Sequence, residues 1–243
     1  MQNSSNMKYR PKHLTIDDIR NGCITLCGDD DEETKLCMMQ EEFRQGIDVI
    51  RDFTPSVTFY GSTRLLPEHP DYIKAYRLAY RISKELGYNI LSGGGGGIME
   101  AVSKGGFDAN GKSVGLTIRL PREQLTNQYV TNEIPFYFFF ARQVAMSYAT
   151  EVCIFCPGGF GTLDELFEMI TLQQTGKIGR IPVILFGSEF WNPLNQVVKE
   201  VLMDKYKTVD SDDMSLFIIT DDEDEILKII ASSKLRDGQD ALA

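Results

Sequence analysis

A carboxylate stands one turn into a helix that begins at a glycine-rich turn. The segment is CPGGFGTLDELFE, residues 156–168. Thr162 takes the expected N-cap position and Glu165 follows three residues later, which is the spacing of a capping box. A helix N-terminus also attracts anions, because it presents unpaired N–H groups and the positive end of the helix dipole. Glu165 therefore has two interpretations: it caps the helix, or it acts on a ligand held by the glycines.

An arginine in an apolar setting is the second residue with chemistry to offer. Arg142 lies in FYFFFARQVAMSYA, after five aromatic residues and before a mostly apolar helical stretch. An unpaired buried charge is very costly, so this guanidinium needs an anionic partner or a route to solvent. It either snorkels or pairs structurally with an internal carboxylate, or it faces a ligand phosphate or Glu165.

Three glycine-bearing turns follow predicted strands: YGS (60–62), SGGGGG (92–97) and PGGFGT (157–162). Ligands of open α/β sheets bind beyond the carboxyl ends of the strands, where glycine lets the backbone approach them closely. A tight turn alone also explains a single glycine, but a run of five lowers helix propensity and indicates a need for bare backbone. The run lacks the GK[ST] ending of a P-loop, and the next strand ends in Arg119 rather than an acidic residue. A single phosphate on a small ligand therefore fits better than a dinucleotide or ATP.

Composition narrows the class of protein. The 243 residues carry a formal net charge of −10, which disfavours a general nucleic-acid surface. No apolar run approaches a membrane span, and the first residues lack the apolar core of a secretory signal, so we expect a cytoplasmic protein with no membrane partner. Five irregularly spaced cysteines argue against a disulfide framework, and two histidines make a metal site a poor prediction. The CxxC of Cys153 and Cys156 ends an apolar strand-like run and is interpreted as structural.

The chain pattern predicts the elements that position these residues. Residues 1–35 lack periodicity and include the acidic run DDDEE, so an irregular extension with at most a short helix is expected there, followed by a helix over 36–53. From residue 55 short apolar runs alternate with amphipathic helices, interrupted by a long loop that contains Pro121 and Pro135. We predict an α/β fold: a doubly wound, mostly parallel, Rossmann-like sheet flanked by helices over 55–243, with a partly helical N-terminal extension over 1–54.

Taken together, the motifs resemble the LOG family, the cytokinin riboside 5′-monophosphate phosphoribohydrolases, which are also labelled lysine decarboxylase-like. PGGFGTLDE is similar to the family signature PGGxGTxxE, and SGGGGGIME resembles a GGGxxGxM motif that ends at Met99. FFARQVAM and YGS resemble the family's arginine helix and first strand-end turn. The motifs occur in the family's order and cover about residues 55–205.

This resemblance implies hydrolysis of the N-glycosidic bond of a nucleoside 5′-monophosphate, AMP or N6-modified AMP, to free base and ribose 5-phosphate. It implies that Arg142 and Glu165 are the catalytic pair, with Glu165 beside the oxocarbenium charge that develops on the ribose. It also implies a homodimer or a higher homo-oligomer, and no cofactor or metal. The implied substrate-binding residues are Gly61, Ser62, Gly93, Gly94, Gly97, Met99, Gly158, Gly159, Gly161 and Thr162.

Two alternatives and one departure accompany this hypothesis. A non-catalytic nucleotide- or cofactor-binding protein can use the same fold, although it has no need of a carboxylate beside the ribose. Binding of single-stranded DNA is disfavoured by the net charge and by the lack of a basic stripe. The family usually has lysine after the arginine, whereas this chain has Gln143, which removes one positive charge.

Overall fold

The computed structural model describes residues 15–27, 31–120, 125–148 and 150–235. The helices are α1 (Ile16–Cys27), α2 (Asp31–Asp52), α3 (Pro70–Arg81), α4 (Ile98–Asp108), α5 (Phe139–Tyr148), α6 (Phe160–Gln174), α7 (Ser188–Val197) and α8 (Glu223–Ser232). The strands are β1 (Ser56–Tyr60), β2 (Asn89–Ser92), β3 (Ser113–Ile118), β4 (Asn132–Phe136), β5 (Val152–Phe155), β6 (Val183–Leu185) and β7 (Ile218–Ile219). Helices α3 and α7 continue into π-helical segments, Ile82–Leu86 and Val198–Lys205. Within the described ranges, none of these helices has the length and apolar character to cross a membrane.

The strands form one parallel sheet in the order β4-β3-β2-β1-β5-β6-β7. The winding reverses at β1, which pairs with β2 on one side and β5 on the other. The last residues of β1 and β5, Tyr60 and Phe155, are register partners, so the turns after these strands meet at the point of reversal. The predicted doubly wound α/β fold is confirmed.

Helices cover both faces of the sheet, and each face has its own apolar core. One core joins α5, α6 and α7 to the sheet and includes Leu116, Ala141, Leu166 and Trp191. The other joins α3, α4 and α8 and includes Leu78, Ile98 and Ile226. The central strands β1, β2, β5 and β6 are buried on both sides, which explains why they appear in the sequence as short continuous apolar runs.

The predicted long loop around Pro135 is wrong, because that residue lies inside β4. Pro135 pairs in register with Thr117 of β3. β4 lies at one edge of the sheet, and an edge strand tolerates a proline because one of its sides makes no hydrogen bonds to another strand. Residues 121–124, which include Pro121, lie outside the described residues.

The expectation of an irregular segment before residue 36 is also wrong for its described part. α1 spans 12 residues, and α2 begins within the acidic run, with Asp31, Glu32 and Glu33 in its first turn. Carboxylates stabilise that end of a helix, so the run marks a helix start rather than a loop. A disulfide between Cys23 and Cys37 joins α1 to α2, contrary to the expectation drawn from cysteine spacing. Periodicity and cysteine count failed here because α1 and the start of α2 are stabilised by contact with each other, which no local pattern shows.

Neither cysteine of the CxxC motif is in a disulfide, and both are buried in the core. Cys153 lies within β5 and Cys156 follows its end. Burial raises the pKa of the Cys156 thiol far above its usual value, so the thiol form dominates. This burial agrees with the interpretation of the CxxC motif as structural. Among the described residues, no group of histidine, cysteine and acidic side chains is arranged to hold a metal ion.

Candidate functional site

Arg142 and Glu165 meet although α5 and α6 are separated by a strand in the chain. Both helices cover the same face of the sheet, which brings Nη1 of Arg142 to 3.8 Å from Oε1 of Glu165. Nε of the same guanidinium donates a hydrogen bond to the Leu116 carbonyl in β3, at 2.7 Å. The arginine residue is only 8% exposed, so it does not snorkel to solvent. The buried charge is compensated by the Glu165 carboxylate and by the Leu116 carbonyl of β3.

Burial gives this pair unusual protonation equilibria. Removal from water raises the pKa of Glu165 to about 7, with smaller contributions in the same direction from Asp164 and Glu168, while Arg142 opposes the rise. The same burial lowers the pKa of Arg142, and the Glu165 carboxylate counteracts it. Near neutral pH, Glu165 therefore populates both its protonated and its ionised form. Such a carboxyl group is typical of functional sites.

Gly93 and Met99 shape the space that the Arg142 guanidinium occupies. A Cβ atom on Gly93 would lie 2.3 Å from Nη2 of Arg142 and 2.6 Å from the Met99 sulfur. Any side chain at this position would therefore displace the arginine or the methionine. The first glycine of the SGGGGG turn positions Arg142.

A second carboxylate, Glu42 of α2, fixes the start of α5. Its two oxygens accept hydrogen bonds from the backbone N–H groups of Tyr137 and Phe138, at 2.8 and 3.0 Å. Burial raises the pKa of Glu42, and these two hydrogen bonds oppose the rise. A Cβ on Gly46 would come within 2.8 Å of the Ala145 Cβ, so α2 and α5 also approach closely one turn further on. The N-terminal extension thus supports the helix that carries Arg142. No local pattern indicated this role, because a glutamate that bonds a distant backbone looks like any other helix glutamate in the sequence.

A cavity of about 590 Å³ opens where the turns after β1, β2 and β5 converge. Most of the predicted site residues line it, and both members of the Arg142–Glu165 pair face it. The predicted residues in its lining are Gly61, Ser62, Gly93, Met99, Arg142, Gly159, Gly161, Thr162 and Glu165.

Three predicted residues, Gly94, Gly97 and Gly158, do not line this cavity. Gly94 and Gly97 have φ of +72° and +65°, and a Cβ on Gly97 would lie 2.3 Å from the Ser62 carbonyl oxygen. A Cβ on Gly158 would lie 2.1 Å from Oγ1 of Thr162. These glycines are required by turn conformation and close packing, which a sequence cannot distinguish from exposure to a ligand.

The predicted capping box is wrong. α6 begins at Phe160, its N-cap is Gly159, and no side chain bonds the N-cap region. Thr162 is therefore the third residue of the helix, and Glu165 lies too far along it to reach the N-cap N–H. The reason is that glycine at position 159 takes an extended conformation, with φ −96° and ψ −156°, which starts the helix earlier. Glu165 faces the cavity and Arg142 instead.

Gly159 and Gly161 differ from the other glycines of the site. Neither has positive φ, and a Cβ on either would meet no atom within 4 Å. Packing does not demand glycine at these two cavity-lining positions. Their missing side chains leave backbone N–H groups at the α6 N-terminus open to the cavity.

Gln143 points away from the cavity that Arg142 faces. Its side-chain amide donates a hydrogen bond to an oxygen of Asp164, at 2.7 Å, and ties α5 to α6 on their exposed side. The residue that replaces the family's usual lysine is therefore a link between the two helices.

The sequence missed several residues of the cavity wall. Arg64 follows the β1 turn, Phe139 begins α5 and Phe160 begins α6, and all three are exposed. Phe160 is 94% exposed, which is unusual for so large an apolar side chain. Its place inside the glycine motif was the one available signal.

Comparison with known proteins identifies the family. A family model described as "Possible lysine decarboxylase" matches residues 99–230, more than half of the chain. The chain belongs to this family, the LOG family. The match includes the α5 arginine and the PGGFGTLDE segment, so it covers both members of the Arg142–Glu165 pair.

Two relatives share modest sequence similarity with the chain. An uncharacterised protein of Archaeoglobus fulgidus is 29% identical over 140 residues, which are 55% of this chain and 89% of that protein. A rice protein named probable cytokinin riboside 5′-monophosphate phosphoribohydrolase LOGL3 is 31% identical over 134 residues. That match spans half of this chain and 62% of the rice protein.

Solved structures share the fold. TM1055, a structural-genomics target, superposes with a TM-score of 0.56 at 23% identity and covers 73% of this chain and 99% of its own. The molybdenum cofactor binding protein of Rippkaea orientalis gives a TM-score of 0.53 at 21% identity and covers 73% of this chain and 94% of its own. At these identities the likeness concerns the fold.

Proposed function

We propose that this protein hydrolyses the N-glycosidic bond of a nucleoside 5′-monophosphate, AMP or N6-modified AMP, to free base and ribose 5-phosphate. The observation that carries the proposal is the buried Arg142–Glu165 pair, 3.8 Å apart, in a cavity that also contains an open helix N-terminus. The family relatives named as phosphoribohydrolases agree with it.

The phosphate is proposed to bind at the α6 N-terminus. Gly159 and Gly161 leave room there, and the helix end contributes unpaired N–H groups and the positive end of its dipole. Glu165 lies five residues into the same helix, beyond the phosphate position. A 5′-phosphate at the helix end would therefore direct the ribose towards the carboxylate.

The apolar part of the cavity lining suits a nucleobase. It contains the apolar side chains of Met99, Ile118, Leu120 and Phe139. Phe139 is 56% exposed and offers a ring face to a planar ligand. Apolar walls with few polar groups are usual in sites for such ligands.

The chemistry requires the ionised form of Glu165. Cleavage of the C1′–N bond builds positive charge on the ribose, which a neighbouring carboxylate stabilises. Arg142 holds the glutamate on one side and favours its ionised form, since it lowers the pKa that burial raises. The free enzyme's kcat/KM should therefore rise as pH increases through about 7, where Glu165 loses its proton.

Release of free base tests the proposal. The protein is incubated with a panel of nucleoside monophosphates, and the base is followed by chromatography. Glu165→Gln should lower the rate by at least about 100-fold. Glu200→Gln is the matched control, because it makes the same chemical change at an exposed glutamate that lies outside the cavity lining and is not among the residues that shift the pKa of Glu165. A full rate in Glu165→Gln would remove that residue from the mechanism.

Binding without catalysis is the second candidate function. The fold is shared with a protein that is named for binding the molybdenum cofactor, which is the observation that favours it. Nucleoside monophosphate binding without release of any base would select this alternative.

Self-association remains a prediction. Of the aromatic residues 136–140, Phe136 is buried in the core, whereas Tyr137, Phe139 and Phe140 are 49%, 56% and 43% exposed. The rings of Tyr137 and Phe140, which are not in the cavity lining, offer apolar area to a second copy. Light scattering on a sizing column measures whether the protein is the proposed homodimer or larger homo-oligomer.

A further inference from the structure

The charged residues around the cavity leave one cation free. Arg64, Arg142 and Glu165 are the charged side chains in the described lining. The Arg142 guanidinium already bonds the Leu116 carbonyl and faces Glu165. Among the described residues, no ion pair or side-chain hydrogen bond engages the guanidinium of Arg64, which is exposed at the cavity wall.

The backbone below Arg64 is held in place. Its N–H donates to the Ser62 hydroxyl oxygen at 3.0 Å, and the Ser62 carbonyl accepts from the N–H of Ile98 at 2.9 Å. The Ser62 N–H in turn donates to the carbonyl of Pro157, in the turn before α6, at 3.0 Å. The turn that carries Arg64 is thereby connected to both glycine turns.

A phosphomonoester in this cavity needs more positive charge than the helix end supplies. Near pH 7 such a group carries a charge of about −1.5 to −2, whereas a helix N-terminus corresponds to roughly half a positive charge. The chain has a net charge of −10, and the exposed Asp164 lies beside Glu165 on α6. Gln143 faces Asp164 and adds no charge.

We propose that Arg64 binds the substrate's phosphate, opposite the α6 N-terminus, and so sets the preference for a nucleoside monophosphate over the nucleoside. This inference rests on the proposed substrate class. An arginine fork suits this task because it can donate two parallel hydrogen bonds to phosphate oxygens. The residue touches only the phosphate, so it contributes to substrate binding rather than to bond cleavage.

The test compares Arg64→Met with wild type in two measurements. Arg64→Met keeps the length of the side chain and removes its charge. It should raise KM for AMP about tenfold to 100-fold with kcat changed less than about threefold, because one charged hydrogen-bonding group is lost. Arg64→Lys should recover part of the loss, since it restores a charge without the fork. Arg180→Met is the matched control, an equal charge change at an exposed residue outside the cavity lining.

Calorimetric binding of AMP, ribose 5-phosphate and adenosine separates this inference from the proposed reaction, because it requires no turnover. Weaker binding of both phosphate compounds in Arg64→Met, with adenosine unaffected, supports the role of Arg64 even if the wild type releases no base. Equal losses for AMP and adenosine would show a structural role and overturn it. Unchanged AMP affinity, or no AMP binding by the wild type, would overturn it as well.

Discussion

Two glycine turns flank the cavity, and they use glycine for opposite reasons. In the turn after β2, the space beside Gly93, Gly94 and Gly97 is filled by other protein atoms, and the last two have positive φ. In the turn after β5, the space beside Gly159 and Gly161 is empty and φ is ordinary. The first turn is glycine-rich because the protein packs against it. In the second turn packing requires glycine only at position 158, which lies against Thr162, whereas nothing in the protein requires Gly159 and Gly161, and we propose that a ligand does.

This difference reverses the relative importance of the two motifs as signs of a ligand. The run of five glycines looked like the stronger sign of a ligand, yet it positions Arg142 and docks α4 on the β1 turn. The shorter PGGFG motif presents the open helix end. The space around each glycine therefore indicates a binding function better than the number of glycines does.

Gly97→Ala tests the packed turn most severely. The new Cβ would lie 2.3 Å from the Ser62 carbonyl oxygen and 2.6 Å from the Thr63 carbonyl carbon, at a φ of +65°. Backbone atoms cannot move aside as a side chain can, so we expect a loss of about 3–4 kcal/mol in the free energy of unfolding. Urea denaturation followed by circular dichroism measures it. A loss below about 1 kcal/mol would contradict the packed interpretation of this turn.

Arg142 lies beside Gly93 of the first turn, and its partner Glu165 lies in the helix that follows the second turn. Titration of Glu165 should change the free energy of unfolding. The pKa of Glu165 is about 7 in the folded state, above its usual 4.5. Between these values the folded state binds the proton more tightly, so stability should fall as pH rises from 4.5 to 7. Relative to Glu165→Gln, the fall should reach about 3 kcal/mol. Urea denaturation of both proteins across this range measures it, and parallel pH curves would contradict the buried setting of the carboxyl group.

Gly93→Ala should damage activity more than stability. Its Cβ would contact the ends of two side chains, the Arg142 guanidinium and the Met99 sulfur, which can shift at a cost of about 1–2 kcal/mol. Movement of the guanidinium by about 1 Å should lower the rate of base release about 100-fold. Rate and urea stability are measured on the same preparation. A nearly normal rate would show that Gly93 does not position Arg142.

Gly161→Ala should have the smallest effect on the fold and a clear effect on the ligand. Alanine stabilises a helix relative to glycine, and no atom lies within 4 Å of the new Cβ, so stability should stay within about 1 kcal/mol of wild type or rise. AMP affinity should fall about tenfold, because the methyl group takes space in the cavity. The matched control is Gly22→Ala in α1, which is equally open and lies outside the cavity lining. Equal AMP affinity in both variants would contradict the open-turn interpretation.

Much of the fold could be predicted from the sequence, and each wrong prediction has a physical reason. The alternation from residue 55 predicted the strands and helices because burial on both faces leaves a local pattern. Pro135 led to the wrong prediction of a loop. A strand tolerates a proline at the edge of a sheet, and the position of a strand at an edge is a property of the whole sheet. The acidic run at the start of α2 led to a wrong prediction because a helix start and a solvated loop look alike in the local sequence. Thr162 misled because Gly159 took the N-cap position.

The sequence by itself determined the α/β order, the position of the motifs at strand ends, and Arg142 and Glu165 as the residues with chemistry to offer. Only the tertiary structure decided that these two meet, that Glu42 of the N-terminal extension supports α5, and which glycines face the cavity. The physical reason is distance along the chain. Propensity and periodicity act over a few residues, whereas a guanidinium 23 positions before its carboxylate is placed by two helices that pack on the same face of a sheet.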